Sequence, residues 1–66
     1  MRLLALDQSS HITGYAVFED GKLIQSGVFS LKSADLGERL FAYRNKIIEL
    51  VDIFNIDQVA FEDIQF

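Results

Sequence analysis

The sequence predicts a small mixed α/β fold, in which a three-stranded antiparallel meander is followed by one helix and by a strand parallel to the first. Three observations support this class. The amino-terminal half contains three short runs rich in β-branched and aromatic residues, which favour strands. Two of these runs flank Asp20-Gly21, a pair typical of a tight hairpin because both positions tolerate positive φ. Apolar residues then recur at helical spacing before one last short apolar run.

The three amino-terminal strands are predicted from their apolar patterns. Arg2–Gln8 is almost continuously apolar, which is typical of a strand buried on both faces. Ile12–Glu19 follows after a turn-like Ser-Ser-His segment. The third strand is predicted at Lys22–Leu31, where Gly27 indicates either a β-bulge or a close approach of the backbone.

The helix is predicted from its capping residues and its apolar spacing. Asp35 followed by Glu38 is close to a capping box, which marks the start of a helix. Asn55 is the predicted carboxyl-terminal cap. The apolar residues between them fall on one helical face, namely Leu36, Leu40, Tyr43, Ile47, Leu50, Val51 and Phe54. A last strand is predicted at Asp57–Asp63, with Val59 and Phe61 on one side of it.

The helical connection determines which residues meet at the edge of the sheet. A right-handed crossover makes the last strand parallel to one already present, and the first strand is the simplest partner. Asp7 and Glu62 then lie at the carboxyl ends of neighbouring strands, where ligands bind in α/β sheets. A divalent cation such as Mg²⁺ would offset the repulsion between two such carboxylates. The pattern therefore predicts Asp7 and Glu62 as metal-binding residues, while a turn role for Asp7 and a solvated strand end for Glu62 stay open.

Composition limits the classes of function. The chain has 66 residues, a net charge of −4, no cysteine and a single histidine, His11. A chain of this length is one domain at most and buries only about 60% of its unfolded surface. Disulfides, thiolate zinc sites and histidine-rich metal sites are excluded. No apolar stretch is long enough to span a bilayer, so we expect a cytoplasmic protein without membrane contact. The acidic balance argues against a basic nucleic-acid surface within these residues.

The first strand and the residues after it resemble the first motif of the RuvC-type Holliday-junction resolvases. The matching residues are Leu4-Ala5-Leu6-Asp7, then Ser10, then Thr13-Gly14-Tyr15-Ala16-Val17. The start of the helix is similar to that family's first helix through Asp35-Leu36 and Arg39-Leu40, and Ala60-Phe61-Glu62 is similar to its second motif. The resemblance covers essentially the whole chain, but only the amino-terminal half of a resolvase.

This resemblance implies a ribonuclease-H-like fold and an endonuclease that nicks four-way DNA junctions as a homodimer, with bound Mg²⁺ or Mn²⁺. Asp7 and Glu62 match the first two of the family's four metal-binding acids, which implies a catalytic role for both. The other two belong to a carboxy-terminal helix without a counterpart in this sequence. We therefore expect residues 1–66 to be the amino-terminal part of a nuclease domain, inactive by itself, from the cytoplasm of a bacterial or phage-infected cell.

The sequence departs from the family's first motif at one place, and the resemblance also indicates four candidate residues for contact with the substrate. Gln8-Ser9 stands where the family has Pro-Gly, and this looks more like phage-borne relatives. Candidates for contact with the substrate are Ser9, Ser10, Thr13 and Gln65. For each of them a structural role is the alternative, in the turn for the two serines, in the second strand for Thr13 and at a loose terminus for Gln65.

Other functions stay open. The residues ALDQSS also resemble the first phosphate loop of sugar kinases in the actin-like ATPase superfamily, where Asp7 would help position Mg²⁺-ATP. Ser9 and Ser10 stand where that loop has a glycine and threonines, and the kinase pattern has no glutamate at the position of Glu62. Threonylcarbamoyl-adenosine accessory proteins have a similar opening strand. A third possibility is a non-enzymatic remnant that self-associates. The exposed last strand and an uncovered apolar sheet face predict a homodimer or a larger oligomer, joined through either of them or by exchange of an element between chains.

Overall fold

The computed structural model describes residues 1–8, 12–30 and 35–61, which form four strands and one helix. The strands are β1 (Arg2–Gln8), β2 (Ile12–Glu19), β3 (Lys22–Ser30) and β4 (Gln58–Phe61), and the helix is α1 (Leu36–Phe54). Both bounds of β1 and β2 agree with the prediction. The predicted ends of the third and last strands, at Leu31 and at Glu62-Asp63, lie outside the described residues. Asp57, predicted to begin the last strand, precedes β4.

The strands form one sheet in the order β3-β2-β1-β4. β2 is antiparallel to both of its neighbours, and β4 is parallel to β1. This arrangement confirms the predicted meander and the predicted parallel crossover. Because side chains alternate along a strand, paired residues lie on the same face of the sheet. Leu4 and its partner Val17 therefore share one face, and Ala5 and its partner Ala16 share the other.

The hairpin between β2 and β3 has the predicted turn. Asp20 has φ 50° and Gly21 has φ 85°, so both central residues are left-handed, as a type I′ turn requires. This turn matches the right-handed twist of the two strands that it joins. The Asp-Gly pair was therefore a reliable local signal.

The two features proposed for Gly27 occur at different positions of β3. Gly27 is paired with Tyr15, and a Cβ atom on Gly27 would lie 2.8 Å from the Tyr15 hydroxyl oxygen, which confirms the close approach. The register shift lies nearer the hairpin, between Val17 and Phe18, and it leaves Ile24 without a partner. A bulge in an edge strand increases its twist and discourages pairing with a further strand.

Both predicted caps of α1 are present. The Asp35 side chain accepts a hydrogen bond of 2.9 Å from the Glu38 N–H, which satisfies one of the free donors in the first turn. At the other end Asn55 adopts φ 51°, and its N–H donates to the Val51 carbonyl. Asn is one of the few residues that enter this left-handed conformation readily.

The core lies between α1 and one face of the sheet, which we call the covered face. Leu4, Leu6 and Val17 are buried there against Leu50 of the helix. Further helix residues pack around this cluster, namely Ile47, Val51 and Phe54.

The apolar helical face predicted from spacing is not packed along its whole length, since Leu36 and Leu40 are 62% and 56% exposed. Helical spacing identifies a face of a helix, but how many of its turns reach the sheet depends on where the core lies. Here the buried cluster meets the carboxyl-terminal half of α1, around Leu50.

The opposite side of the sheet, which we call the open face, has no covering element among the described residues. It carries Ile12, Leu23 and Val28, of which Val28 is 73% exposed. Leu3 and Phe18 lie beside them and are half-buried. The expectation of an uncovered apolar face is met over the part of the chain that the structure describes.

Candidate metal centre

Asp7 occupies the carboxyl end of β1 on the open face. It is paired with Gly14 of β2, which in turn is paired with Val28 of β3, so these three residues share that face. The Asp7 side chain is exposed. No described residue forms a hydrogen bond or an ion pair with its carboxylate. The acid is therefore hydrated and available to a ligand.

Small residues surround Asp7 and leave the sheet accessible beside it. An open depression of about 310 Å³ is lined in part by Ala5, Asp7, Gly14, Ala16 and Phe18. Gly14 has room for a side chain, since a Cβ atom there would be 3.9 Å from the Asp7 carbonyl oxygen. Its lack of a side chain is thus no packing requirement, and it keeps the space opposite the carboxylate free. Gly14 belongs to the residues that resemble the first resolvase motif, but the sequence alone did not indicate that it lies opposite Asp7.

The described residues contain no group of three or more His, Cys, Asp or Glu side chains that could hold a metal ion. Asp7 is the one predicted metal ligand within them. Glu62, the other predicted ligand, and the substrate candidates Ser9, Ser10 and Gln65 lie outside the described residues. Carboxylate oxygen is the ligand that Mg²⁺ prefers, so the chemistry of Asp7 fits a hard divalent cation.

Thr13 lies on the other side of the sheet from Asp7. It is only 2% exposed, and as the neighbour of Gly14 it points to the covered face. It is paired with Gln8 of β1 and with Phe29 of β3. Burial on that side favours the structural role for Thr13 over contact with a substrate.

The amino-terminal end of β1 is engaged in several hydrogen bonds. The Arg2 guanidinium donates to the Phe54 carbonyl at 2.7 Å and to the Glu19 carboxylate at 3.1 Å. The Arg2 N–H donates to the Asp57 carboxylate at 2.8 Å, and the Asp57 N–H donates to the Arg2 carbonyl at 2.9 Å. These contacts join the start of β1 to the end of β2, to α1 and to the entry of β4. Sequence patterns did not indicate them, because they link residues far apart in the chain.

Three of the described groups, all away from Asp7, have perturbed pKa values. The hydrogen bond from the Met1 amine lowers the pKa of Asp20 and raises that of the amine, and both groups are exposed at the hairpin end of the sheet. On the helix side, burial raises the pKa of Tyr43. The Tyr43 hydroxyl is buried and has no hydrogen-bond partner among the described residues, and the same holds for the Nε atom of Arg39 one turn earlier. The Tyr43 ring packs against Phe29, with ring centroids 6.0 Å apart.

Comparison with solved structures shows the fold. Two structures of an Aquifex aeolicus PPX-GPPA enzyme match 92% of this chain and 25% of their own, with TM-scores of 0.57 and 0.58. Their sequence identity to this chain is 21% and 24%, so the likeness concerns the fold alone. Within the described residues no helix is both long and apolar enough to cross a membrane.

Sequence comparison identifies the family. Crossover junction endodeoxyribonuclease RuvC of Helicobacter hepaticus is 32% identical over the whole chain, and that of Geotalea uraniireducens is 34% identical. The chain spans only 39% and 42% of these two relatives, respectively. The relatives are bacterial, and the phage-like interpretation of Gln8-Ser9 stays a prediction. The family model "Crossover junction endodeoxyribonuclease RuvC" matches residues 3–66, and the chain therefore belongs to the RuvC family, whose ribonuclease-H-like fold its sheet and helix share in part.

Proposed function

We propose that this chain is the amino-terminal part of a metal-dependent endonuclease that cleaves four-way DNA junctions, and that Asp7 and Glu62 bind Mg²⁺ or Mn²⁺ in it. The observation that carries the proposal is the position of Asp7, an exposed carboxylate without a partner among the described residues, at the carboxyl end of a strand whose neighbour β4 is parallel. Membership of the RuvC family supports the same reaction class.

The pairing of β1 with β4 supports Glu62 as the second ligand. The register runs from Leu3 opposite Gln58 to Leu6 opposite Phe61. Asp7 and Glu62 are the next residue of each strand. If the register continues by one residue, the two carboxylates become neighbours on the open face, because paired residues in a parallel ladder lie on the same side. A divalent cation between them would offset their repulsion.

Two carboxylates are too few for the complete reaction. Hydrolysis of a phosphodiester by two metal ions requires them to be held about 4 Å apart, so that one activates water and the other stabilises the leaving oxygen. Asp7 and Glu62 together provide ligands for one hydrated ion. We therefore expect the 66-residue polypeptide to bind metal weakly and not to cleave junctions at a useful rate.

Self-association is the second part of the proposal. The open face exposes Ile12, Leu23 and Val28, and every residue of β4 is exposed. β4 is also an edge of the described sheet, and an exposed edge strand can pair with a strand of another chain. We propose that the 66-residue chain forms a homodimer or a larger oligomer through β4 or the open face. Light scattering after size-exclusion chromatography at micromolar concentration tests this, and a stable monomer with a cooperative melt would contradict it.

Manganese titration followed by NMR tests the metal site. Paramagnetic Mn²⁺ broadens the signals of nearby nuclei, and we expect the broadening at millimolar concentration to centre on Asp7 and Glu62. Asp7→Asn and Glu62→Gln should each remove it, while Asp52→Asn, an exposed acid on α1, serves as the matched control. Broadening centred elsewhere, or unchanged in Asp7→Asn, would overturn the site.

A junction-cleavage assay tests the activity of the isolated chain. A labelled four-way junction incubated with the chain and Mn²⁺ should remain intact. Symmetrical nicks that Glu62→Gln abolishes would show that two acids suffice and would contradict the expected inactivity. The site itself would be supported by that result.

A further inference from the structure

We propose that Asp57 is a positioning residue for the metal site, because it sets the register of β4 against β1 and thereby determines whether the residue that follows β4 can pair with Asp7. This inference rests on the proposed function. Asp57 lies at the opposite end of the strand pair from Asp7, next to Arg2. Asp7 lies five positions after Arg2 in β1, about 16 Å along an extended strand.

Asp57 holds Arg2 through both of its hydrogen-bonding groups. Its carboxylate accepts from the Arg2 N–H at 2.8 Å, and its own N–H donates to the Arg2 carbonyl at 2.9 Å. A shift of β4 by one residue would separate both pairs of atoms at once. The two bonds therefore favour a single register.

Burial cannot set this register among the described residues. The register of a strand is strongly specified where one of its faces is buried, and weakly where neither face is. All four residues of β4 are exposed, including Phe61 at 54%. The strand also has only four paired residues. The register of β4 therefore depends to an unusual degree on the hydrogen bonds between Asp57 and Arg2 at the start of the strand.

The connection between α1 and β4 is short and is held by hydrogen bonds, which fix the position of Asp57. Only Asn55, Ile56 and Asp57 lie between α1 and β4. The Asn55 N–H and the Ile56 N–H both bond to the Val51 carbonyl, the latter at 3.0 Å. The Arg2 side chain binds the Phe54 carbonyl at 2.7 Å. The loop thus presents the Asp57 carboxylate to β1 with little freedom.

A slip of one residue would reverse the faces of β4. The β4 side chains that now lie on the open face would move to the covered face, and the β4 side chains on the covered face would move to the open face. A continuation of the present register past Phe61 would pair the next residue with Asp7, and the slipped register would not. Loss of the Asp57 contact should therefore weaken metal binding at the far end of the strand pair.

The test compares two substitutions at one position. Asp57→Ala removes the acceptor, whereas Asp57→Asn keeps an acceptor oxygen and removes only the charge. The matched control is Asp52→Ala, an exposed acid of α1. For each variant, Mn²⁺ affinity is measured per folded chain from the broadening at Asp7, and the register from backbone NOEs between Leu6 and Phe61. If Asp57→Ala does not fold, Asp57→Ser, whose hydroxyl falls one bond short, replaces it.

We expect Asp57→Ala to weaken Mn²⁺ binding about tenfold, as loss of supporting hydrogen bonds does in metal sites, and to weaken the NOEs between Leu6 and Phe61. Asp57→Asn should stay within about twofold of the original chain, because the hydrogen bond persists. Unchanged affinity and NOEs in a folded Asp57→Ala, or an equal loss in Asp57→Asn, would overturn the inference. Absence of broadening at Asp7 in the original chain would instead refute the proposed metal site, and the NOEs alone would then decide whether Asp57 sets the register.

Discussion

The covered and open faces of the sheet use the same strands for different purposes. On the covered face Leu4, Leu6 and Val17 are almost wholly buried against α1. On the open face Val28 is exposed and Asp7 stands without a partner among the described residues. In β1 the change occurs between consecutive residues, since Leu6 is buried and Asp7 is exposed.

This difference explains why the candidate site lies on the open face. A carboxylate on the covered face would have to lose its hydration, which costs several kcal/mol unless a partner compensates it. On the open face the same group keeps its hydration, because it is exposed to solvent. Alternation along β1 therefore lets one strand supply both the core and the site.

The largest expected effect comes from truncating equivalent leucines on the two faces. Leu4→Ala should destabilise the fold by about 3 kcal/mol, because it removes a fully buried side chain and leaves a cavity. Leu23→Ala on the open face should change the free energy of unfolding by less than about 0.5 kcal/mol in a monomeric chain. Urea denaturation measures both. Equal losses would mean that the open face is covered in solution, for instance by self-association.

Glycine substitutions provide a second matched pair. Gly27→Ala should cost about 1–2 kcal/mol, because the new methyl group would lie 2.8–3.0 Å from atoms of the Tyr15 ring, which already packs on Phe29. Gly14→Ala meets its nearest atom at 3.9 Å and should be close to neutral. Thermal melts of the two variants are compared. In a Tyr15→Ala background the cost of Gly27→Ala should disappear, and its persistence there would refute the steric cause.

Asp7→Asn should separate stability from metal binding. We expect the free energy of unfolding to change by less than about 0.5 kcal/mol, since the carboxylate is exposed and has no partner among the described residues. The Mn²⁺ broadening should be lost from the same sample. Urea denaturation without metal gives the first quantity and NMR the second. A loss of stability as large as that of Leu4→Ala would indicate that Asp7 is a structural residue instead.

The last expected effect concerns Tyr43 on the helix side. Its hydroxyl is buried and has no partner in the described part of the chain, so Tyr43→Phe should leave stability unchanged or raise it by up to about 1 kcal/mol. Burial raises the pKa of the Tyr43 hydroxyl in the folded chain. The folded chain therefore releases the hydroxyl proton at a higher pH than the unfolded chain does. Stability is therefore unaffected below the ordinary tyrosine pKa and falls as the pH rises through it.

Melts between neutral pH and strongly alkaline pH measure this loss. Tyr43→Phe should reduce it. An unchanged alkaline loss in Tyr43→Phe would show that the phenol ionises as freely in the folded chain as in the unfolded one.

Most elements of the fold could be predicted from local chemistry. The Asp-Gly turn needs two residues that tolerate positive φ, and the structure has positive φ at Asp20 and Gly21. The Asp35 cap and the Asn55 cap each depend on a single side chain and its immediate neighbours. The position of Asp7 at the end of β1 could likewise be read from the apolar run before it. Glu62 as its partner stays a prediction, because it lies outside the described residues.

Contacts between distant segments could not be predicted, because no local pattern encodes them. Leu36 and Leu40 have the same helical spacing as Leu50, yet only Leu50 reaches the buried cluster. Which turns of a helix are buried depends on where the sheet lies beneath it. The hydrogen bonds between Arg2 and Asp57 join residues 55 positions apart. Alternation determined which residues of a strand share a face, and only the packing of α1 decided which face became the core and which was left open around Asp7.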